Sequence, residues 1–133
     1  MKKLMLDTHV LLWAIGNTDA LPSKVFELIS TRENHVFVSS ISLWEIALKC
    51  SVGKLELNFA IEDIPKYCEQ MFFELLPLKP LEALGFLKLP TKQSHKDPFD
   101  RMLIYQCIKS NYALVSKDDK MKIYVNDGLE CIW

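Results

Sequence analysis

The chain has 133 residues, half of them apolar and a quarter charged, with a formal net charge of −1. This length predicts one domain, residues 1–133, and the apolar content argues against long disordered tails. The near-neutral charge does not indicate a nucleic-acid binder, although residues 88–122 carry eight basic side chains against four acidic ones.

Two further features narrow the class of protein. The four cysteines are widely spaced, which predicts free thiols rather than a zinc site or a redox motif. The first apolar run, residues 4–15, is too short to span a bilayer and lacks a small-residue cleavage site. We therefore expect a cytoplasmic protein with no membrane contact.

In chain order, short apolar strands alternate with helices. Residues 4–6 predict a strand, residues 10–15 a helix closed by Gly16, and a second helix opens near Pro22. Residues 35–38 predict the next strand because they are β-branched and aromatic. Residues 39–42 then offer N-caps for a helix that Gly53 ends, with Glu45 predicted to point away from its apolar face.

The second half continues the alternation. Residues 61–75 predict an amphipathic helix with an acidic outer side, and residues 81–87 a shorter one. Pro98 marks the start of a buried helix over residues 99–110. Residues 112–116 and 129–133 are strand-like. The pattern predicts an α/β domain with a mainly parallel sheet, whose ligands bind beyond the carboxyl ends of the strands.

Four acids are expected at that edge of the sheet. Asp7 and Asp118 follow predicted strands, and Glu45 and Asp100 lie in the first turns of predicted helices. Carboxylates brought this close raise one another's pKa, so a cation or a shared proton normally accompanies them. Mg²⁺ prefers carboxylate oxygens and bridges to phosphate, which suggests phosphodiester hydrolysis.

The same segments carry a family resemblance. The stretches LMLDTHVLLWAIG, SSISLWEIALKCSVGKLEL and HKDPFDRMLIYQCIKSNYALVSKD, with the final strand, resemble the signature segments of the PIN-domain family, and most closely its VapC-like toxins. The resemblance implies a three-layer α/β/α sandwich and an endoribonuclease dependent on Mg²⁺ or Mn²⁺. It also implies an RNA substrate, a cognate antitoxin as partner, and a homodimer.

The resemblance assigns the four family acids to Asp7, Glu45, Asp100 and Asp118. It implies that the three aspartates ligate the metal, directly or through water, and that Glu45 orients a water. Asp97 is an alternative to Asp100 for the third position. Asp97 precedes a proline and is also a natural N-cap, so we interpret it as a supporting residue.

Other residues have competing explanations. Ser116 either supports the site by bonding an acid or simply ends a strand. Glu45 and Lys49 could form only an i, i+4 ion pair. The three histidines share no metal-like spacing and are assigned no catalytic role. Aromatic side chains such as Trp13 favour packing over base stacking. Four basic side chains are candidate phosphate contacts: Lys92, Lys96, Arg101 and Lys117.

Two other functions remain open at this point. A catalytically weak interaction module would keep the acidic pocket but act through a protein partner. A phosphotransferase with Asp7 as nucleophile would usually have a second acid two residues later, where this chain has His9.

Overall fold

The computed structural model describes residues 1–133 and has one five-stranded sheet at its centre. The strands are β1 Lys3–Leu6, β2 His35–Ser39, β3 Phe73–Leu76, β4 Ala113–Val115 and β5 Glu130–Ile132. Their order is β3-β2-β1-β4-β5, and every pair is parallel. The predicted parallel α/β sheet is therefore confirmed.

Helices connect the strands and cover both faces of the sheet. The α-helices are α1 Thr8–Gly16, α2 Ser23–Ser30, α3 Ser40–Ser51, α4 Ile64–Gln70, α5 Pro80–Gly85 and α6 Pro98–Ser110. A long 3₁₀ segment, Asp119–Asp127, joins β4 to β5. None of the helices is both long enough and apolar enough to cross a membrane.

The strands divide their side chains between two cores. Alternate residues of a strand point to opposite faces, so Leu4 and Leu6 enter one apolar cluster and Met5 enters the other. The larger cluster packs beneath α1 and α2, and the smaller one contains Ile104 of α6. This arrangement confirms the three-layer α/β/α sandwich.

The prediction of one helix over residues 61–75 was wrong. Helix α4 ends at Gln70, and Phe72 adopts a left-handed backbone conformation with φ of 62°. The chain then enters β3, where Phe73 pairs with Val36 of β2. The apolar run after residue 70 belongs to an edge strand because pairing with β2 outweighs its helix-like spacing.

Helix α3 begins and ends where the sequence predicts. The Ser39 hydroxyl accepts a hydrogen bond of 3.1 Å from the Ile41 N–H, and Gly53 follows the helix with φ of 74°. Its buried side, however, contains Ser42, Glu45 and Ile46. The sequence predicts that Glu45 points away from the apolar face of α3; Glu45 is nonetheless buried, because the buried side of the helix also includes polar residues.

The sheet order places a crevice above its middle. The chain runs from β1 outward through β2 and β3, then returns to add β4 and β5 on the other side of β1. The carboxyl ends of β1 and β4 therefore flank the point where the winding direction reverses, which is where ligands of open α/β sheets bind. Asp7 and Ser116 directly follow these two strands.

Candidate active site at the carboxyl edge of the sheet

Asp7 is fixed at the end of β1 by two hydrogen bonds. Its Oδ1 accepts the Thr8 N–H at 2.8 Å, and its Oδ2 accepts the Ser116 hydroxyl at 2.7 Å. The residue is only 3% exposed. Burial raises the pKa of Asp7, and the bonds from Ser116 and Thr8 oppose that rise. Asp7 is therefore a buried acid with a fixed orientation, as a ligand or catalytic group requires.

Glu45 reaches the same site from α3. It is 2% exposed, its Oε1 accepts the Thr8 hydroxyl at 2.7 Å, and its Oε2 lies 2.6 Å from the Lys49 ammonium. The Ser42 hydroxyl lies 2.9 Å from that of Thr8. The predicted Glu45–Lys49 ion pair is present, but burial of the carboxylate excludes a purely surface pair. Thr8 links Glu45 to the end of β1.

Asp100 is the least satisfied of the four acids. It occupies the first turn of α6, and its side chain is 19% exposed. Its pKa is raised to about 8, mainly by burial and then by the charges of four other carboxylates: Asp7, Asp97, Glu45 and Asp118. Asp100 therefore interacts electrostatically with the other acids that the sequence predicts at this edge.

Asp97 acts as the N-cap of α6. Its Oδ1 accepts the Asp100 N–H at 3.0 Å, and its backbone is extended, as a cap requires. This confirms the capping interpretation. The cap fixes the first turn of α6 and hence the place from which the Asp100 side chain leaves the helix, so Asp97 supports the acid that follows it.

Asp118 and Ser116 complete the edge after β4. Asp118 caps the 3₁₀ segment by accepting the Lys120 N–H at 2.9 Å, and its own N–H donates to the Ser116 hydroxyl at 3.0 Å. Ser116 in turn donates to Asp7, as noted above, so it bridges the loop after β4 to the acid after β1. Asp7 and Asp118 line one open cavity of about 230 Å³.

His95 lies beside Asp100, which the sequence did not reveal. It is 4% exposed, its Nδ1 lies 3.0 Å from the Tyr124 hydroxyl, and its Nε2 lies 3.5 Å from Asp100 Oδ2. That Nε2 has no hydrogen-bond partner, and burial lowers the pKa of the ring. The only signal in the sequence was the closeness of His95 to the Asp97–Pro98 helix start.

The comparison with protein families agrees with this geometry. The model of the PIN domain matches residues 4–125, a range that includes all four acids, all six α-helices and the strands β1 to β4 apart from Lys3. The chain belongs to the PIN domain family. PIN domains are generally nucleases, so membership supports a hydrolase that acts on nucleic acid. A search of curated proteins gives no match.

Solved structures share this PIN fold over almost their whole length. VapBC2 from Rickettsia felis, bound to promoter DNA, is 21% identical, with 98% of this chain and 97% of that chain covered and a TM-score of 0.68. VapBC-1 from nontypeable Haemophilus influenzae is 18% identical, with 98% and 96% covered and a TM-score of 0.70. FitAcB from Neisseria gonorrhoeae is 16% identical, with the same coverage and a TM-score of 0.63.

The candidate phosphate contacts occupy different environments in the PIN domain. Lys92 forms an ion pair of 2.9 Å with Asp127, and Arg101 donates to the carbonyl oxygens of Leu89 and Pro90. Lys96 is exposed. Lys117 lines the same cavity as Asp7. Lys117 is therefore the candidate that lies directly beside the acids.

The chemistry of the acidic group fits a hard divalent cation. The site offers carboxylate oxygens, which Mg²⁺ and Mn²⁺ prefer, and the raised pKa of Asp100 shows that its negative charge is poorly compensated. No three metal-ligating side chains lie close enough together to hold an ion as they stand. The Asp100 carboxylate accepts no hydrogen bond, so its oxygens are not committed to a donor within the protein.

Proposed function

We propose that the protein is an endoribonuclease that hydrolyses phosphodiester bonds with the help of Mg²⁺ or Mn²⁺. The observation that carries the proposal is the gathering of Asp7, Glu45, Asp100 and Asp118 at the reversal point of the sheet, where burial and then the charges of the neighbouring carboxylates raise the pKa of Asp100. Acids held together against their own repulsion are best explained by a cation and an anionic substrate.

The four acids have different roles in this proposal. Asp7, Asp100 and Asp118 would hold the cation, because they surround the crevice above β1 and β4. When bound, the cation supplies charge neutralisation for the phosphate and activates water. Glu45 accepts the Thr8 hydroxyl and pairs with Lys49, so its carboxylate is held in one orientation and can orient a water toward the phosphorus. Ser116 keeps Asp7 in position.

We also propose that the protein is the toxin of a toxin–antitoxin pair. The support is the similarity in fold to VapBC complexes over nearly the whole chain. An exposed apolar surface for a protein partner is present on α5 and the turn after it, where Leu81, Leu84 and Leu87 are all largely exposed. A cognate antitoxin or a second copy of the chain, giving a homodimer, would cover such side chains.

The experiment is cleavage of labelled total RNA by purified protein with Mg²⁺, with Mn²⁺ or with EDTA. We expect discrete fragments with either metal and none with EDTA. Asp7→Asn and Asp100→Asn should abolish cleavage, whereas Asp119→Asn, the matched control on an exposed neighbouring aspartate, should cleave normally. Equal cleavage by wild type and both site variants would overturn the assignment of the acids.

One observation favours a second function, a PIN-fold interaction module with weak or no catalysis. The side chains do not by themselves form a three-ligand metal site. Titration calorimetry with Mn²⁺ separates the two functions, because the nuclease requires binding that Asp100→Asn weakens. Absence of Mn²⁺ binding by folded wild-type protein would favour the interaction module.

A further inference from the structure

An aromatic and basic surface adjoins the carboxylates. The cavity that contains Asp7 and Asp118 is also lined by His9, Trp13 and Lys117. A second cavity, of about 380 Å³, shares His9 and Trp13 and continues along residues 55–59. Trp13 therefore stands where two open cavities meet, next to the acids of the proposed active site.

Helix α1 builds this surface as soon as the chain leaves Asp7. His9 and Trp13 are four residues apart, so they lie on the same side of the helix, with ring centroids 6.1 Å apart. Trp13 also packs against Trp133, at 5.9 Å between centroids, and against the larger core. Packing against Trp133 and the core thus holds the Trp13 ring in place, while the ring still lines both cavities.

Lys117 supplies a free positive charge at this surface. Its ammonium lies 5.8 Å from the centre of the Trp13 ring, and no carboxylate lies within ion-pair distance of it. By contrast, Lys49, Lys92 and Lys122 each pair with an acid. Because Lys117 is exposed and unpaired, its ammonium can move from the ring to a phosphate when a ligand arrives.

The cavity beside Trp13 is small. Its volume of about 230 Å³ is below the roughly 300–1,000 Å³ of pockets that enclose drug-sized ligands. It therefore suits a single flat ring better than a whole folded ligand. Packing against Trp133 accounts for the inner edge of Trp13, but it does not account for an indole beside an unpaired lysine and two carboxylates.

We propose that Trp13 and His9 form a stacking platform for one unpaired base of the nucleic-acid substrate, and that Lys117 binds an adjoining phosphate. Single-stranded RNA is bound in this way, by bases stacked on aromatic rings and a backbone held by cations. A base seated on Trp13 would lie beside Asp7 and Asp118, so its own phosphate would reach the acids. This inference rests on the proposed function.

The test measures binding rather than cleavage. Fluorescence anisotropy of a labelled hexauridylate is recorded in EDTA with wild type, Trp13→Leu and Trp13→Phe. Trp44→Leu is the matched control, because Trp44 is exposed on α3 and lines neither cavity. We expect Trp13→Leu to weaken binding about tenfold, Trp13→Phe to restore most of the affinity, and Trp44→Leu to bind as wild type does.

A second ligand separates stacking from a general loss of structure. Trp13→Leu should bind an abasic hexamer of the same backbone as well as wild type does, because no base remains to stack. Equal weakening of both ligands, or no weakening of either, would overturn the platform. If a thermal unfolding measurement shows that Trp13→Leu is not folded, two other variants take its place in the comparison of the two ligands. They are His9→Ala, at an exposed position, and Trp13→Phe.

Lys117 is tested by salt dependence. Lys117→Gln should reduce the slope of log affinity against log salt by about 0.7, the contribution of one phosphate contact on a single strand. Trp13→Leu should leave that slope unchanged. An unchanged slope in Lys117→Gln would contradict its phosphate contact.

The outcomes also distinguish this inference from the proposed nuclease. Trp13-dependent binding without metal-dependent cleavage would keep the platform and reject the nuclease. Metal-dependent cleavage with Trp13-independent binding would keep the nuclease and reject the platform. No binding of wild type to hexauridylate would reject the platform for this substrate.

Discussion

Asp7 and Glu45 are held by hydrogen bonds from neighbouring side chains, whereas the carboxylate of Asp100 accepts none. We call the first group the bonded half of the site; it consists of Asp7, Thr8, Ser42, Glu45 and Ser116. The open half consists of His95, Asp100 and Asp118. In the bonded half, every buried carboxylate has its charge partly balanced by donors.

The two halves therefore differ in how far hydrogen bonds within the protein already satisfy their side chains. The bonded half is held in place before any ligand arrives, because Thr8 joins α1 to α3 and Ser116 joins the end of β4 to the end of β1. The open half has a carboxyl group with a pKa of about 8 and a buried histidine nitrogen without a partner. We therefore expect the bonded half to fix the geometry of the reacting groups and the open half to be stabilised most by a bound cation.

The largest expected effect is on the bonded half. Glu45→Ala removes both the acceptor of the Thr8 hydroxyl and the ion-pair partner of Lys49, so we expect a loss of about 1–3 kcal/mol in the free energy of unfolding. Glu45→Gln keeps an acceptor oxygen and should lose less. Urea denaturation in EDTA measures both. Equal stability of wild type and Glu45→Ala would show that this half is not fixed by its hydrogen bonds.

In the open half, we expect a substitution to raise the free energy of unfolding instead of lowering it, and only at higher pH. Between the ordinary pKa of 3.8 and the raised value of about 8, folded Asp100 retains a proton that the unfolded chain releases. Stability of the metal-free protein therefore falls as pH rises through this window. Asp100→Asn avoids that loss, so at pH 9 we expect it to be more stable than wild type by at least about 1 kcal/mol.

Thermal unfolding in EDTA at pH 4 and pH 9 checks this expectation. At pH 4 the two proteins should unfold at nearly the same temperature, since the carboxyl group is largely protonated in the folded chain. Asp119→Asn, which changes a highly exposed aspartate, should match wild type at both values. A lower unfolding temperature of Asp100→Asn at pH 9 would mean that Asp100 is well compensated.

A smaller effect is expected at Ser116, which links the halves. Ser116→Ala removes the hydroxyl that donates to Asp7 and accepts from the Asp118 N–H. We expect a loss of about 1 kcal/mol in the free energy of unfolding. We also expect a further rise in the pKa of Asp7, since the hydrogen bond from Ser116 lowers that pKa. Carboxyl-carbon NMR titration follows the pKa. Ser116→Thr, which keeps the hydroxyl, is the control.

The smallest effect concerns Lys49, at the rim of the bonded half. Lys49→Met leaves the buried Glu45 carboxylate with the Thr8 hydroxyl as its donor, so we expect a loss of about 1 kcal/mol by chemical denaturation, at the upper end of the range for partly exposed pairs. Lys122→Met removes the more exposed pair with Asp119 and should cost less still. A larger loss for Lys122→Met than for Lys49→Met would contradict the account of Glu45 as the better anchored partner.

The sequence predicted those parts of the fold and site that depend on neighbouring residues. The strand before Asp7 and the Asp97–Pro98 start of α6 carry local signals, and both were confirmed. The predicted parallel order of the strands also placed Asp7 and Asp118 at one edge of the sheet. Local patterns sufficed there because caps and alternation act within a few residues.

The errors and omissions involve partners that are distant along the chain. Glu45 is buried because Thr8, 37 residues away, donates to it, and no pattern within α3 encodes that contact. His95 meets Tyr124 across 29 residues. The strand β3 was misread as helix because only pairing with β2 distinguishes it. The sequence could therefore name the acids but not their individual environments.

Apart from Ser116, the bonded half comes from residues 7–45 and the open half from residues 95–118, and this sets an order in time. During synthesis, β1, β2 and α3 leave the ribosome first, so the partners of Glu45, Thr8 and Lys49, are both made by residue 49. The bond between Ser116 and Asp7 joins residues 109 positions apart and must close a very long loop. A nascent chain therefore cannot assemble both halves until nearly all of it has been made.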